Sequence, residues 1–579
     1  MKNKNNVILY KSLQIWFFSI GMLILAMNNL IAQDISQLSA KNPLKVSGSL
    51  NARSYFSSGS QSPLYKTNPF GYAAAANINL TFFSGISVPI SVNYSNRKAS
   101  FSQPFNQFGL SPSYKGITVH AGYRSLRFSE YTLNGFTMLG GGFELQKAKI
   151  RAGFMYGRLG RSTVSEAGLP SAFQRNGWAG RLGFGSENNF VDLVLFKAAD
   201  NAASISNYAL YRLDPAKNVA IGLAFKKRLF KIKSQSLTLT SDAALSIYTG
   251  DINARELDTE DLNVVIPPVI FNAVDANLSS RGLLAINSGL NYMSKVFSVR
   301  LNYQRIDPGY ISMGIYTTNN DLQILSLAPR LNLLKNKLVL NANIRQQRDN
   351  LLGTKLRTTK RLLPSGSISY NPNATFGITS SLTFSNMNQT QGIKSAKPVD
   401  PRKLIAQTNY SLMLMPRFNF GSETMPQSVN ITIGTNKLVD NGEDTERKKY
   451  SEYSGLNGSL NYNYAIEKSG LNLNAGANYF SLTTFNALTD SPNLSDNYGL
   501  SVGADKGFMK NKLNTNAAAN YTLGTGGNNA LSISIGTNYN PGKHHSVGFT
   551  AYQANSTFSD SAIRNFNEFR ATLDYTYNF

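Results

Sequence analysis

The sequence predicts an all-β fold: a single large transmembrane antiparallel β-barrel of about 26 strands. Three observations predict it. Apolar and neutral-polar side chains alternate with a two-residue period along nearly the whole chain. Charged residues make up only 15% of it, against ~25% in soluble domains. Short turns alternate with longer polar connections, as they do around an outer-membrane barrel.

The amino-terminal element is not a strand. Lys2, Lys4 and Lys11 form a basic start, "IWFFSIGMLILAM" (15–27) is an apolar core, and Ala32 precedes Gln33. This is the pattern of a cleaved secretory signal peptide spanning 1–32. The apolar run is shorter than the ~20 residues of a spanning helix. Cleavage leaves 579 − 32 = 547 residues. No later segment is a continuous apolar span, which excludes an inner-membrane helical protein. Residues 33–43 are a short periplasmic segment, and the barrel is expected over 44–579. A first strand near Leu44 leaves no room for a folded plug ahead of it.

The chain has no cysteine, so neither a disulfide nor a lipoprotein attachment site exists. The formal charge is +25; losing Lys2, Lys4 and Lys11 takes it to +22. Basic residues are dispersed and no nucleic-acid module is present, so nucleic acid is not an expected partner. The charge suits a pore lining, periplasmic turns or a rim facing lipopolysaccharide phosphates.

The strands justify themselves in order along the chain. "ANINLTF" (76–82), "FSVRLNYQR" (297–305), "LVLNANIR" (338–345) and "VNITIG" (429–434) each alternate. So do "LNGSLNYNYAI" (456–466), "LNLNAGANY" (471–479) and "LSISIGTNY" (531–539). In 456–466, Leu456, Leu460, Tyr462 and Tyr464 share one face, and Asn457, Ser459, Asn461 and Asn463 the other. A sandwich core could not bury so many unpaired amides, at roughly 1–3 kcal/mol each. A water-filled lumen accommodates them. Turns fall at "KNK" (335–337 and 510–512), "NPN" (371–373), "EKSG" (467–470) and "NPG" (540–542). An even strand number puts both termini in the periplasm, so 24 or 26 strands are expected; 125–135 and 198–217 admit more than one parsing.

The chain ends on an eleven-residue alternation, "FRATLDYTYNF". Phe569, Leu573, Tyr575, Tyr577 and Phe579 share a face toward lipid, and this strand is expected to close the barrel against the first, near Leu44–Ser54. Its face pattern resembles the carboxy-terminal signal that barrel assembly machinery recognises. Tyr575, Tyr577 and Phe579 are the expected assembly signal.

Three arginines, Arg300, Arg345 and Arg570, fall on polar faces and are expected to line the lumen, favouring anions. The longest interruption, 251–280, is acidic in a basic chain. Glu256, Asp258, Glu260 and Asp261 mark it as an outer loop or as a constriction folded into the pore. No spaced calcium-loop signature is present.

Reactive groups are few. Histidine occurs at His120, His544 and His545 only. His120 alternates onto the face of Thr118, Gly122 and Arg124, hence toward the lumen, and no Ser or Asp partner is identifiable for it. His544 and His545 are adjacent on a strand and point oppositely, so they do not share a metal. No catalytic residue, cofactor or metal is expected.

"YKGITVHAGYRSLRFSEYTLNGFTMLGGGFELQKAKIRAGFMYGRLGR" (114–161) resembles passages in uncharacterised outer-membrane barrel proteins of Bacteroidota, and the "IAQ" signal end fits that group. The resemblance covers roughly 100–200 and the last strand. It implies a fold and a compartment and carries no active residues. The width implies a conduit: a diffusion channel or the membrane part of an export or surface-display complex. A structural or adhesive platform and a lipid-modifying enzyme are the rivals. The expected partners are outer-membrane lipid, lipopolysaccharide, the assembly machinery and an envelope or secretion protein.

Overall fold

A computed structural model describes residues 43–59, 69–83, 85–96, 107–164, 171–256, 275–316, 319–393, 398–559 and 565–579. The expected signal peptide and residues 33–42 lie outside these.

Twenty-six antiparallel staves form one closed sheet. One stave is split: Gln107–Leu110 and Ser113–Tyr114 pair in turn with the same two neighbours, Ile86–Ser95 and Ile117–Arg127. The first strand, Leu44–Gly59, pairs with the last, Phe566–Asn578, from Ser49↔Asn578 to Gly59↔Glu568. Phe579 and Gly48 extend the seam with two backbone hydrogen bonds of 3.0 and 3.1 Å. Closure is what a bilayer demands, because an unpaired strand edge in hydrocarbon cannot satisfy its N–H and C=O groups. Among the described residues no helix is long and apolar enough to cross a membrane; the strands do the crossing.

Tight turns gather at the end of the barrel that holds both the start of the first strand and the end of the last. Lys115 and Gly116, both at positive φ, make a two-residue hairpin turn there. Both "KNK" turns use three consecutive left-handed residues, Leu334–Lys335–Asn336 and Met509–Lys510–Asn511. The opposite end carries the longer connections, including a helix at Thr445–Ser451 that Asp444 caps by accepting from the Arg447 N–H.

The two faces separate cleanly. Leu456 and Leu460 are each 47% exposed, and Ile433, Leu500 and Ile533 are comparably open. Such large apolar side chains are exposed only because they face lipid. Directly opposed residues on paired strands share a face, so the register carries the inward assignment around the cylinder. Asp242 opposes Asn287, which opposes Gln304, then Ile324, Gln347, Arg361 and Met387 in turn.

The interior is not uniform. Every buried hydrophobic residue among those described lies between Leu126 and Ile324. Two loop-end segments, 128–133 and 307–316, turn back into the barrel and pack on its inward wall. Leu133 and Gly314 join them through a parallel bridge. They form an insert made from the chain's own connections.

Candidate lumenal site

The insert is anchored by both apolar and polar contacts. Phe128, Leu133 and Met313 pack with Met138, Met155, Leu159, Val194 and Phe196, inward residues of neighbouring staves. Gly153 and Gly222 make room for it: a Cβ at either would come within 2.8 Å of the Phe128 ring or 2.7 Å of the Thr132 methyl. Asp242 accepts from Ser129 Oγ at 2.7 Å and from the Glu130 N–H at 2.8 Å. Asn287 Nδ2 donates to both Glu130 carboxylate oxygens. Asn218 Oδ1 accepts from the Met313 N–H at 3.1 Å, while its Nδ2 donates to Ser246 Oγ at 2.7 Å. Tyr310 Oη donates to the Tyr131 carbonyl and Ser312 Oγ to that of Thr132, each at 2.7 Å. Burial pushes the phenols of Tyr131 and Tyr310 far above the ordinary tyrosine range, which keeps both protonated; Tyr131 Oη accepts from Gln304 Nε2 at 2.9 Å.

The wall under the insert pairs its own charges. Arg151 grips Asp192 through two hydrogen bonds of 2.7 and 2.8 Å, and Arg175 grips Asp200 at 2.8 and 3.1 Å. Arg181 donates to Glu144 at 3.0 Å and lies 4.9 Å from the Phe128 ring, tying wall to insert.

His120 belongs to this network. It is buried on the inward face, with Ser111 Oγ 2.8 Å from Nδ1 and Glu144 Oε2 3.3 Å from Nε2, the latter without hydrogen-bond alignment. The sequence did not reveal these partners, because only the register brings three staves together. A Ser–His–Glu set invites comparison with a hydrolase. However, the Ser111 N–H donates to the Pro89 carbonyl, and residue 112 is proline without an N–H. Neither position 111 nor position 112 therefore has a free N–H to offer an oxyanion beside Ser111.

Beyond the insert the wall changes character. The six strands Phe297–Ile306, Leu322–Leu333, Leu338–Arg348, Arg357–Tyr370, Phe376–Gln391 and Ala406–Ser422 contain no carboxylate. Arg300, Arg330, Arg345, Arg361 and Arg417 fall on their inward faces by register, opposite Asn291, Asn341, Ser326, Gln347 and Gly377. Among the described residues none of the five is in an ion pair. Arg570, also inward, pairs with Glu568 on its own strand.

From Met425 through the seam the inward wall is mostly Asn, Ser, Thr and Gly. A cavity of about 1150 Å³ opens against it, lined by residues such as Asn51, Asn93, Asn472, Asn516, Thr537 and Thr576. Of the acidic set expected at 251–280, Glu256 forms a bridge with Asn277 at the base of the connection. Asp258, Glu260 and Asp261 lie outside the described residues. Tyr575 and Tyr577 face outward beside His545, whose Nδ1 is 2.9 Å from Tyr575 Oη. His544 instead meets the Asn578 carbonyl at 2.6 Å.

A closed strand cylinder, an apolar outer band and a polar interior define an outer-membrane β-barrel, and the protein is placed in the outer membrane. No protein-family model and no curated protein matches the chain. Solved structures that resemble it include the FrpB iron transporter from Neisseria meningitidis (TM-score 0.39, 10% identity, 92% of this chain and 82% of that one). Others are OccAB4 from Acinetobacter baumannii (TM-score 0.29, 11% identity, 67% and 96%) and OpdK from Pseudomonas aeruginosa with vanillate (0.30, 10%, 63% and 94%). At those scores the likeness says nothing further about this chain.

Proposed function

We propose that the barrel is a conduit across the outer membrane, either a diffusion channel or the membrane part of an export or surface-display complex. The observation that carries this reading is the uneven lumen: the insert covers one arc, while the polar wall from Gly470 through the seam to Ser95 borders a cavity of about 1150 Å³. At this strand number side chains alone do not fill the interior. The protein is not an enzyme on this reading. His120 is a brace between Ser111 and Glu144, with no free N–H at residues 111 and 112 beside it. Assembly machinery would insert the chain, and an envelope or secretion protein would use or gate the opening. The likeness of 114–161 to barrel passages in Bacteroidota supports an origin in that group.

Single-channel recording in planar bilayers, with liposome swelling by small neutral solutes, tests the conduit. Discrete currents and swelling are expected. A folded barrel that passes neither ions nor solutes would leave the adhesive platform as the better reading.

A further inference from the structure

We propose that the open wall of the lumen binds acidic, hydroxyl-rich saccharides. This deepens the conduit reading by naming its substrate class, and it is testable separately.

The first observation is a repeated pairing on the inward face. Seven asparagines lie directly opposite glycines on neighbouring strands: Asn457 on Gly434, Asn436 on Gly455, Asn461 on Gly476, Asn478 on Gly499, Asn474 on Gly503, Asn497 on Gly524 and Asn516 on Gly536. Each amide lies across its glycine. A Cβ built on Gly499 or Gly536 would stand 2.2 Å from the facing Oδ1, and one on Gly434 or Gly503 2.5 Å from it. The glycines let the amides lie flat against the wall, and among the described residues none of the seven has a side-chain hydrogen bond. Six strands carry the array, spanning about 24 Å at ~4.8 Å per strand. Every carboxamide offers two donors and one acceptor. A sugar hydroxyl also donates and accepts, so successive rings of a saccharide can trade water for amides along such a surface. An apolar solute would strip water from the amides without replacing its hydrogen bonds.

The second observation is the arginine arc that adjoins the array. Register sets Arg300 diagonal to Arg330, and Arg345 diagonal to Arg361, on adjacent strands. Like charges so placed repel, and no carboxylate on those strands relieves them. Arg345 Nε is buried without a hydrogen-bond partner. Under the insert Arg151, Arg175 and Arg181 each have a carboxylate partner, although Arg181 Nε is likewise buried without a hydrogen bond. Among the described residues the five arginines of this arc thus stand without a carboxylate partner, whereas the seam closes its own as Arg53–Asp574 and Arg570–Glu568. Guanidinium forks bind carboxylate, sulfate or phosphate in two-point fashion. An anion alone would not need the amide array, and a neutral sugar would not need the arginines. An acidic saccharide uses both.

The test uses the full-length protein in detergent, with hexagalacturonate and maltohexaose as probes in equilibrium dialysis. Heat-modifiable migration checks that each variant is folded. Saturable hexagalacturonate binding is expected, with maltohexaose about tenfold weaker or more. R345Q/R361Q should abolish that preference and leave maltohexaose binding unchanged, while N474A/N478A should weaken both probes. No saturable hexagalacturonate binding, equal binding of the two probes, or an unaltered preference in R345Q/R361Q overturns the proposal. Binding without bilayer current would sink the conduit and spare the saccharide site. Current without binding would do the reverse.

Discussion

Leu460 and Asn461 are consecutive in the strand Tyr453–Ile466, and arginine at the two positions should behave oppositely. Leu460 is mid-strand on the outer face, between Ile431 and Ala477 of its neighbours, and 47% exposed. Leu460→Arg would place a cation in hydrocarbon at a cost of roughly 2–4 kcal/mol near the midplane. That shifts the folded-to-unfolded ratio by about thirty- to a thousandfold. Asn461 faces water across from Gly476, where a longer side chain extends into the open lumen. Asn461→Arg should therefore change stability by less than about 0.5 kcal/mol, the usual range for a surface substitution. Reversible urea unfolding in lipid vesicles, followed by electrophoretic heat-modifiability, measures both variants against the native chain. Equal losses, or a greater loss from Asn461→Arg, would refute the assignment of faces on which the site rests.

Leu133 is fully buried in the insert, so Leu133→Ala should cost ~2–5 kcal/mol of local packing and raise single-channel conductance while the barrel stays folded; unchanged conductance would count against the insert as a restriction. With Arg300, Arg345 and Arg570 inward, reversal potentials at low salt should show anion preference that fades as salt rises, and cation selectivity would contradict it. Burial would raise the Asp321 carboxyl, but the Lys355 ammonium and the N–H groups of Leu351 and Asn350 outweigh it and hold it below the usual carboxylate range. A depressed carboxyl stabilises above its unfolded pKa of ~3.9, so protection against hydrogen exchange in the 349–356 loop, relative to the intrinsic rate at each pH, should hold at neutral pH and fall only as acid takes the pH below ~4; in Lys355→Met that acid-dependent fall should be smaller. Deleting Phe579 removes two seam hydrogen bonds to Gly48 and should lower the amount of heat-modifiable barrel in the outer membrane, whereas Phe558→Asp, at the loop end, should not; native amounts from the deletion would leave Phe579 a packing role only.

Much of the architecture was legible because a barrel strand writes both of its environments into alternate residues. "LNGSLNYNYAI" names its lipid face and its water face without help, and the stave number follows from repetition. The seam was legible too: the last strand pairs with the first, although the register runs to Gly59 rather than stopping near Ser54. The insert was not foreseen, yet it left a trace. "IRAGFMYGRLG" (150–160) and "NFVDLVLFKAADN" (189–201) put Met155, Leu159, Val194 and Phe196 where other strands put Asn or Ser. A strand apolar on both faces must be covered on both. What covers it comes from "FSEYTL" and "DPGYISMGIY", about 180 residues apart, which no local pattern connects. The partners of His120 and the Asn–Gly pairs were hidden for the same reason, since both depend on cross-strand register. The carboxylate-free run from 297 to 422, apart from Asp307, Asp321, Asp349 and Asp400 in its loops, stood in plain view.

The two kinds of inward wall imply a division of labour that substitutions should respect. Where the insert covers the wall the inward side chains meet protein, so their loss leaves a cavity or an orphaned charge and is felt as stability. From Leu338 to the seam they meet water, which fills any space a truncation leaves, so the same losses are felt in what passes or binds. Arg151–Asp192 is buried and closed under the insert, whereas Arg345 and Arg361 on the open arc have no carboxylate partner among the described residues. An interior built only to be plugged would have no reason to keep unpaired arginines beside an unpaired amide array. An interior built only to be empty would have no reason to fold two loops inward against a close-packed wall. Their coexistence is what a conduit requires if it must be narrowed to stay safe in the envelope and still hold a polar solute along one side.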